Sequence, residues 1–135
     1  MDKSMKKYLL DTNILIYYWK GDIPEGEMKQ VEEILKHSFI ISIITKIELL
    51  GWRKHTLEGY EIAREFLDRA EILPIDDDLA EFTIELKRNN NIKLADALIA
   101  ATALSNELVL VTRNEDDFSI LSDLEIYNPF KADSW

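Results

Sequence analysis

Tyr8-Leu9-Leu10-Asp11-Thr12-Asn13-Ile14-Leu15-Ile16 is the stretch from which the rest of the chain can be read. Tyr8 to Leu10 is short and apolar, as a strand covered on both faces is, while Ile14-Leu15-Ile16-Tyr17-Tyr18-Trp19 continues apolar at helical length. Between them stand Asp11 and two helix-capping residue types, Thr12 and Asn13. A buried strand is therefore predicted to end at Asp11, with a helix starting just after it. Burying an ionised carboxylate in this company is costly unless something compensates it, so Asp11 is predicted to face a partner, a metal or both. In open parallel sheets, ligand crevices lie beyond the carboxyl ends of strands, which is where Asp11 falls.

Outward from that point the same alternation repeats. Tyr8 to Leu10, Phe39 to Ile43, Glu71 to Ile75, Leu108 to Val111 and Glu125 to Tyr127 read as strands. Asn13 to Lys20, Glu27 to His37, Thr45 to Arg53, Glu58 to Arg69, Asp77 to Asn89 and Leu94 to Asn106 read as helices. Strands alternating with helices predict an α/β fold whose parallel sheet is covered on both faces. Gly21-Asp22-Ile23-Pro24 is expected to stop the first helix and Asn89-Asn90-Asn91 the fifth, and Pro74 places its strand at an edge or a terminus. No repeat or linker interrupts the pattern. At 135 residues the chain suits one well-filled core and is too short for two ordinary ones, so 1–135 is expected to be a single domain.

Bulk composition narrows the function classes. A hydrophobic content of 47% excludes general disorder, and the absence of cysteine excludes disulfides, thiolate metal sites and a thiol nucleophile. Met1-Asp2-Lys3-Ser4-Met5-Lys6-Lys7 is basic, but the apolar run after it is broken by Asp11 and Asn13, so no signal peptide is read there. No stretch approaches the roughly 20 apolar residues needed to span a bilayer. A cytoplasmic protein without membrane contact is expected. The net charge of -10 argues against a nucleic-acid binder, unless divalent cations gathered by the carboxylates supply the positive charge.

Three further acidic positions sit oddly. Glu48 lies in a segment where Ile44, Ile47 and Leu50 make one apolar face, widened by Leu49 and Trp52; by itself this segment reads Glu48 as a solvated helix residue. Asp96 is the only charge in Leu94-Ala95-Asp96-Ala97-Leu98-Ile99-Ala100-Ala101-Thr102-Ala103-Leu104, a helix apolar almost all round. A first-turn aspartate also gains about 0.3 to 1 kcal/mol from the helix dipole, so both a structural and a functional role stay open. Thr112-Arg113-Asn114-Glu115-Asp116-Asp117-Phe118 follows a predicted strand, and alone it reads as a capped first turn. Placement changes the weighing, because these acids can converge with Asp11 at the carboxyl edge of the sheet. Gathered carboxylates repel one another unless protons or cations neutralise them. Hard divalent cations such as Mg²⁺ and Mn²⁺ prefer oxygen ligands, and two held about 3.5 to 4 Å apart favour phosphodiester hydrolysis. His37 and His55 show no metal spacing and read as surface residues, and no Gly-rich phosphate loop or serine elbow is present.

In order along the chain, Leu9-Leu10-Asp11-Thr12-Asn13-Ile14-Leu15-Ile16, Ser42-Ile43-Ile44-Thr45-Lys46-Ile47-Glu48-Leu49-Leu50-Gly51, Leu94 to Leu104 and Leu110-Val111-Thr112-Arg113-Asn114-Glu115-Asp116-Asp117-Phe118 resemble the motifs of the PIN domain family. Leu124-Glu125-Ile126-Tyr127-Asn128-Pro129-Phe130 is similar to the ending of small bacterial and archaeal members. The resemblance implies an α/β/α sandwich around a mainly parallel sheet of four to five strands. Small members are commonly VapC-type toxins of toxin-antitoxin pairs, metal-dependent endoribonucleases that leave a 3′-hydroxyl and a 5′-phosphate. By that resemblance Asp11, Glu48, Asp96 and Asp117 form the catalytic set and hold Mg²⁺ or Mn²⁺ directly or through water. Asn114 stands where some members have an aspartate, and Asp116 is a neighbouring alternative for the fourth position. Thr12, Asn13, Thr112 and Asn114 would position carboxylates or substrate by hydrogen bonding. RNA is the implied substrate, a small antitoxin the implied partner and a homodimer the implied assembly.

Lys46, Lys93 and Arg113 flank the motifs and are available to RNA phosphates, although exposed basic residues are usually only solvated. Trp19, Trp52 and Trp135 are candidates for dimer or antitoxin surfaces, with core packing the stronger expectation for the first two. Two alternatives remain from other classes. One is a receiver-like signalling module, which wants paired acids after the first strand where Thr12 and Asn13 stand, and a late lysine that Arg113 matches poorly. The other is a catalytically silent PIN-like binding protein, which would bind no metal.

Overall fold

β1 (Tyr8–Leu10) is the middle strand of a five-stranded sheet in a computed structural model that describes residues 6–131. The chain continues through α1 (Thr12–Lys20), α2 (Glu25–His37), β2 (Ile40–Ser42), α3 (Ile43–Leu50), α4 (Leu57–Leu67), β3 (Glu71–Leu73), α5 (Asp77–Asn89) and α6 (Leu94–Ser105). It closes with β4 (Val109–Val111), a single 3₁₀ turn at Glu115–Asp117 and β5 (Ile126–Tyr127). The strands lie in the order β3-β2-β1-β4-β5 and every neighbouring pair is parallel. The mainly parallel sheet expected from the sequence is thus wholly parallel, because a helix crosses back between successive strands as far as β4.

Alternation along three-residue strands splits the core in two. Leu9, Ile40 and Leu110 face a cluster with Leu79 and Leu86 of α5 and Ala97, Ala100, Ala101 and Ala103 of α6. Leu10, Ile41 and Val111 face the opposite cluster, with Ile14, Leu15, Val31, Ile34, Leu35 and Leu67. Both strand faces are therefore apolar, which is why the strands read as continuous apolar runs. The alanines of α6 let it lie close to the sheet and to α5, and the buried hydroxyls of Thr83 and Thr102 donate to the carbonyls of Leu79 and Leu98, each at 2.8 Å. Gly21 ends α1 in the left-handed region at φ 74°, satisfying carbonyls of the last turn through its N–H, as expected for that position.

Several boundaries move for physical reasons. The strand predicted over Phe39 to Ile43 shortens to β2 because the Ser42 side chain accepts from the Ile44 N–H at 3.1 Å and starts α3 two residues early. The face of α3 differs as well: Thr45 and Leu49 are buried, whereas Ile47 is 60% exposed. The helix stops at Gly51, where a Cβ would come within 2.6 Å of the Ile47 carbonyl, so Trp52 falls outside it and is 56% exposed. Trp19, at 39%, is exposed too, its ring edge-on to Phe66. The core packing expected for Trp19 and Trp52 is corrected accordingly; Trp135 lies outside the described residues, as does the segment up to Met5. His37 is exposed as predicted, but His55 is half-buried, its Nε2 sitting 2.7 Å from the Leu49 carbonyl. Pro74 directly follows β3, an edge strand.

Candidate functional site

Register places the first two site residues together. Leu10 of β1 pairs with Val111 of β4, and the ladder runs one step further, the Asp11 N–H donating to the Val111 carbonyl at 3.0 Å and the Thr112 N–H to that of Tyr127 at 3.1 Å. Asp11 and Thr112 therefore stand side by side at adjacent strand ends. Asp11 itself, rather than Thr12 or Asn13, is the N-cap of α1, its Oδ1 accepting from the Thr12 N–H at 2.8 Å. Its Oδ2 accepts from the Thr112 hydroxyl at 2.8 Å and from Asn13 Nδ2 at 3.1 Å. Asn13 in turn accepts from the Arg113 N–H at 3.2 Å, tying the start of α1 to the segment after β4.

These bonds offset only part of the cost of burial. Asp11 is 6% exposed, and desolvation pushes its carboxyl up to about 6; Thr112 and the Thr12 N–H hold it down, and Asp96 and Glu48 raise it further. Among the described residues no lysine, arginine or histidine forms an ion pair with Asp11, Glu48, Asp96 or Asp117. No direct ion pair therefore neutralises the four acids, and Lys93 acts only on Asp96, through space.

Glu48 is exposed, yet it belongs to the same set. Its Oε1 lies 2.5 Å from Thr12 Oγ1, which is also 3.0 Å from Thr45 Oγ1. The one proton of the Thr12 hydroxyl goes to the carboxylate, and buried Thr45, one helical turn before Glu48, supports that hydroxyl from behind. Thr45 was not singled out from the sequence, although its spacing from Glu48 on one helix was the available signal. Asp96 begins α6 half-buried; burial raises its carboxyl, Asp117 and Glu48 add to the rise, and Lys93 opposes it. Asp117 is the acid of the 3₁₀ turn whose charge raises Asp96, and Asp116 lines the same cleft. The fully buried Phe118 anchors that turn from below.

The remaining residues divide. Thr112 and Asn13 bind Asp11, as above, whereas Asn114 contributes through its backbone, its N–H donating to Thr112 Oγ1 at 3.1 Å and its carbonyl accepting from the Asp117 N–H at 3.0 Å. The exposed Asn114 side chain has no hydrogen-bond partner among the described residues. Arg113 lays its guanidinium over the rings of Phe130 and Tyr17, at 4.2 and 4.9 Å from their centroids, so the nearby cation is engaged by aromatic faces.

Chemically this is an oxygen-only donor set of the kind hard cations prefer. No three acidic side chains among the described residues close into a ready-made metal cage. Mg²⁺ uses one or two carboxylates directly and keeps several waters, so its binding does not require such a cage. The donors and the uncompensated charge therefore fit a divalent cation.

A wholly parallel sheet with acids gathered at its carboxyl edge defines the class of α/β proteins with an acidic crevice at strand ends. This chain belongs to the PIN domain family, whose model matches residues 8–124. A chain of a toxin-antitoxin complex from Klebsiella pneumoniae is 34% identical, with a TM-score of 0.73 over 91% of this chain and 98% of that one. In a DNA-bound VapBC from Salmonella typhimurium the figures are 29%, 0.76, 93% and 99%. VapBC-1 from nontypeable Haemophilus influenzae gives 30%, 0.72, 92% and 98%. No curated protein sequence matches the chain.

Proposed function

We propose that this protein is a Mg²⁺- or Mn²⁺-dependent endoribonuclease and the toxin of a type II toxin-antitoxin pair. The observation that carries this reading is the gathering of Asp11, Glu48, Asp96 and Asp117, from four separate segments, at one sheet edge with no ion pair to neutralise any of them among the described residues. All four are proposed as metal-holding and catalytic residues. A divalent cation held there would lower the pKa of a bound water and offset charge on the phosphate. Hydrolysis of the P–O3′ bond would put the oxygen of water on the 5′-phosphate and a proton on the departing 3′-oxygen, leaving a 3′-hydroxyl and a 5′-phosphate.

The protein's own part is placement. Asp11 is the fixed member, buried and held by three donors, while Glu48 is steered by Thr12 at the solvent side. Thr112 and Asn13 keep the Asp11 oxygens oriented, and the uncommitted side chain of Asn114 is left for substrate. Membership of the family displaces the receiver-like alternative.

The antitoxin belongs to the same proposal. The similar solved structures are toxin-antitoxin complexes, and Ile16, Trp19, Leu49 and Trp52 line a mostly apolar groove of about 530 Å³ that reaches Glu48. A homodimer and a cytoplasmic location complete the proposal. No helix among the described residues is long and apolar enough to cross a membrane.

The test is cleavage of single-stranded RNA by the purified chain with Mg²⁺ or Mn²⁺ and with EDTA. Cutting is expected only with metal, and Thr12→Val is expected to lose about 10- to 100-fold in activity or metal affinity through a misdirected Glu48. Cutting that survives EDTA would refute the metal chemistry, and none under any metal would refute the nuclease.

A further inference from the structure

The acidic centre has unlike surroundings on the two faces of the sheet. The apolar groove lies on the α1 and α3 side. On the α5 and α6 side, a cleft of about 530 Å³ is lined by Lys87, Lys93 and Ile120 together with Asp96, Asp116 and Asp117, among others. Two lysines stand beside this carboxylate cluster in a chain of net charge -10, and neither forms an ion pair among the described residues, Lys93 acting on Asp96 only through space. Lys87 donates to the Ile92 carbonyl at 2.9 Å, across the connection from α5 to α6, so its ammonium is fixed at the cleft with further donors unused. Lys93 is the N-cap residue of α6, which starts there without a side-chain cap and so leaves its first N–H groups unclaimed by side chains.

We propose that this cleft binds the backbone phosphate of the nucleotide next to the scissile one, with Lys87 and Lys93 as its cationic contacts and Ile120 under the sugar or base. The ligand is a single-stranded polynucleotide. The identification of RNA rests on the nuclease reading, whereas the phosphate chemistry rests on the lysines. The acids next to the scissile phosphate require a metal before they tolerate a polyanion, whereas Lys87 and Lys93 in the same cleft can meet the next phosphate with their own charge. The strand is thereby given a side, passing over Asp96 and Asp117 towards α5. Lys93 was noticed in the sequence as a flanking cation, while Lys87 stands close to it only through the turn between the two helices.

The test uses the full chain and a fluorescently labelled single-stranded RNA, with binding followed by anisotropy in Ca²⁺ over a salt series and cleavage followed separately in Mg²⁺. Lys87→Gln with Lys93→Gln is expected to weaken binding about tenfold and to flatten the slope of log affinity against log salt by about 0.7, the value for one single-strand phosphate contact. Lys93→Arg, which keeps the charge, is expected to restore most of the affinity lost in Lys93→Gln, and in cleavage the loss falls on KM rather than on kcat. Lys93→Gln alone guards against misfolding of the double variant. Unchanged affinity and slope in cleaving protein would overturn the cleft while leaving the nuclease standing. A loss confined to kcat would also overturn it, since the lysines would then act through Asp96. Lysine-dependent binding by a chain that cuts nothing would support the cleft and remove the nuclease. Equal lysine-dependent binding of duplex DNA would overturn the single-strand assignment.

Discussion

Asp11→Asn is expected to lower metal-dependent RNA cleavage by about a thousandfold while making the metal-free protein more stable at neutral pH. Both effects have one cause. The carboxylate of Asp11 is buried at 6% exposure and its carboxyl is pushed up to about 6, chiefly by desolvation. In the unfolded chain the same group titrates near about 3.9. Between these values the folded state holds the extra proton, so stability declines as pH rises from about 4 through about 6. The full difference is on the order of 3 kcal/mol. An asparagine of the same shape still accepts from the Thr12 N–H, and its amide can donate to the Thr112 hydroxyl, while Asn13, held by the Arg113 N–H, gives up its bond to this side chain. Urea unfolding without metal should show Asp11→Asn ahead of the natural chain at pH 8, with the advantage shrinking towards pH 4. Full cleavage by this variant, or its destabilisation at pH 8, would contradict the role given to Asp11.

Phe118→Ala is expected to produce the largest loss of stability, about 3 to 5 kcal/mol, with a fall in Tm of roughly 10 to 20 °C. Phe118 is fully buried in the cluster formed with α5 and α6, and it directly follows the turn that carries Asp117. Its removal leaves a cavity under the acidic edge, so the turn loses its anchor and Asp117 its fixed place beside Asp96. Thermal unfolding measures the first effect, and residual cleavage by the folded fraction at low temperature measures the second. A fall of only one or two degrees would mean that the turn is held by its own hydrogen bonds, such as Asp117 N–H to the Asn114 carbonyl.

The sequence revealed most where local chemistry was at odds with its surroundings. Asp11 stood out because a charge broke an apolar run, and the structure buries it at a strand end as that break implied. The α5 boundaries at Asp77 and Asn89 were legible because an acidic first turn and a terminal run of asparagines mark them. Glu48 was not legible from its own segment: it is exposed, as a solvated glutamate would be, and the long-range contact with Thr12 and its charge beside Asp11 and Asp96 attach it to the site. The exposed face of α3 was misread because periodicity reports an apolar stripe without saying which stripe a short helix at a sheet end turns inward. The strand order, which sets Asp11 beside Thr112, depends on pairing across about a hundred residues and has no local signature.

The chemistry of the ends created by the chain on single-stranded RNA in Mg²⁺ is the most direct test of the central claim. Attack by water at an acidic metal centre predicts 5′-phosphate and 3′-hydroxyl termini, lost together with cutting when EDTA is added. Termini carrying a 5′-hydroxyl and a 2′,3′-cyclic phosphate, formed equally well in EDTA, would contradict it.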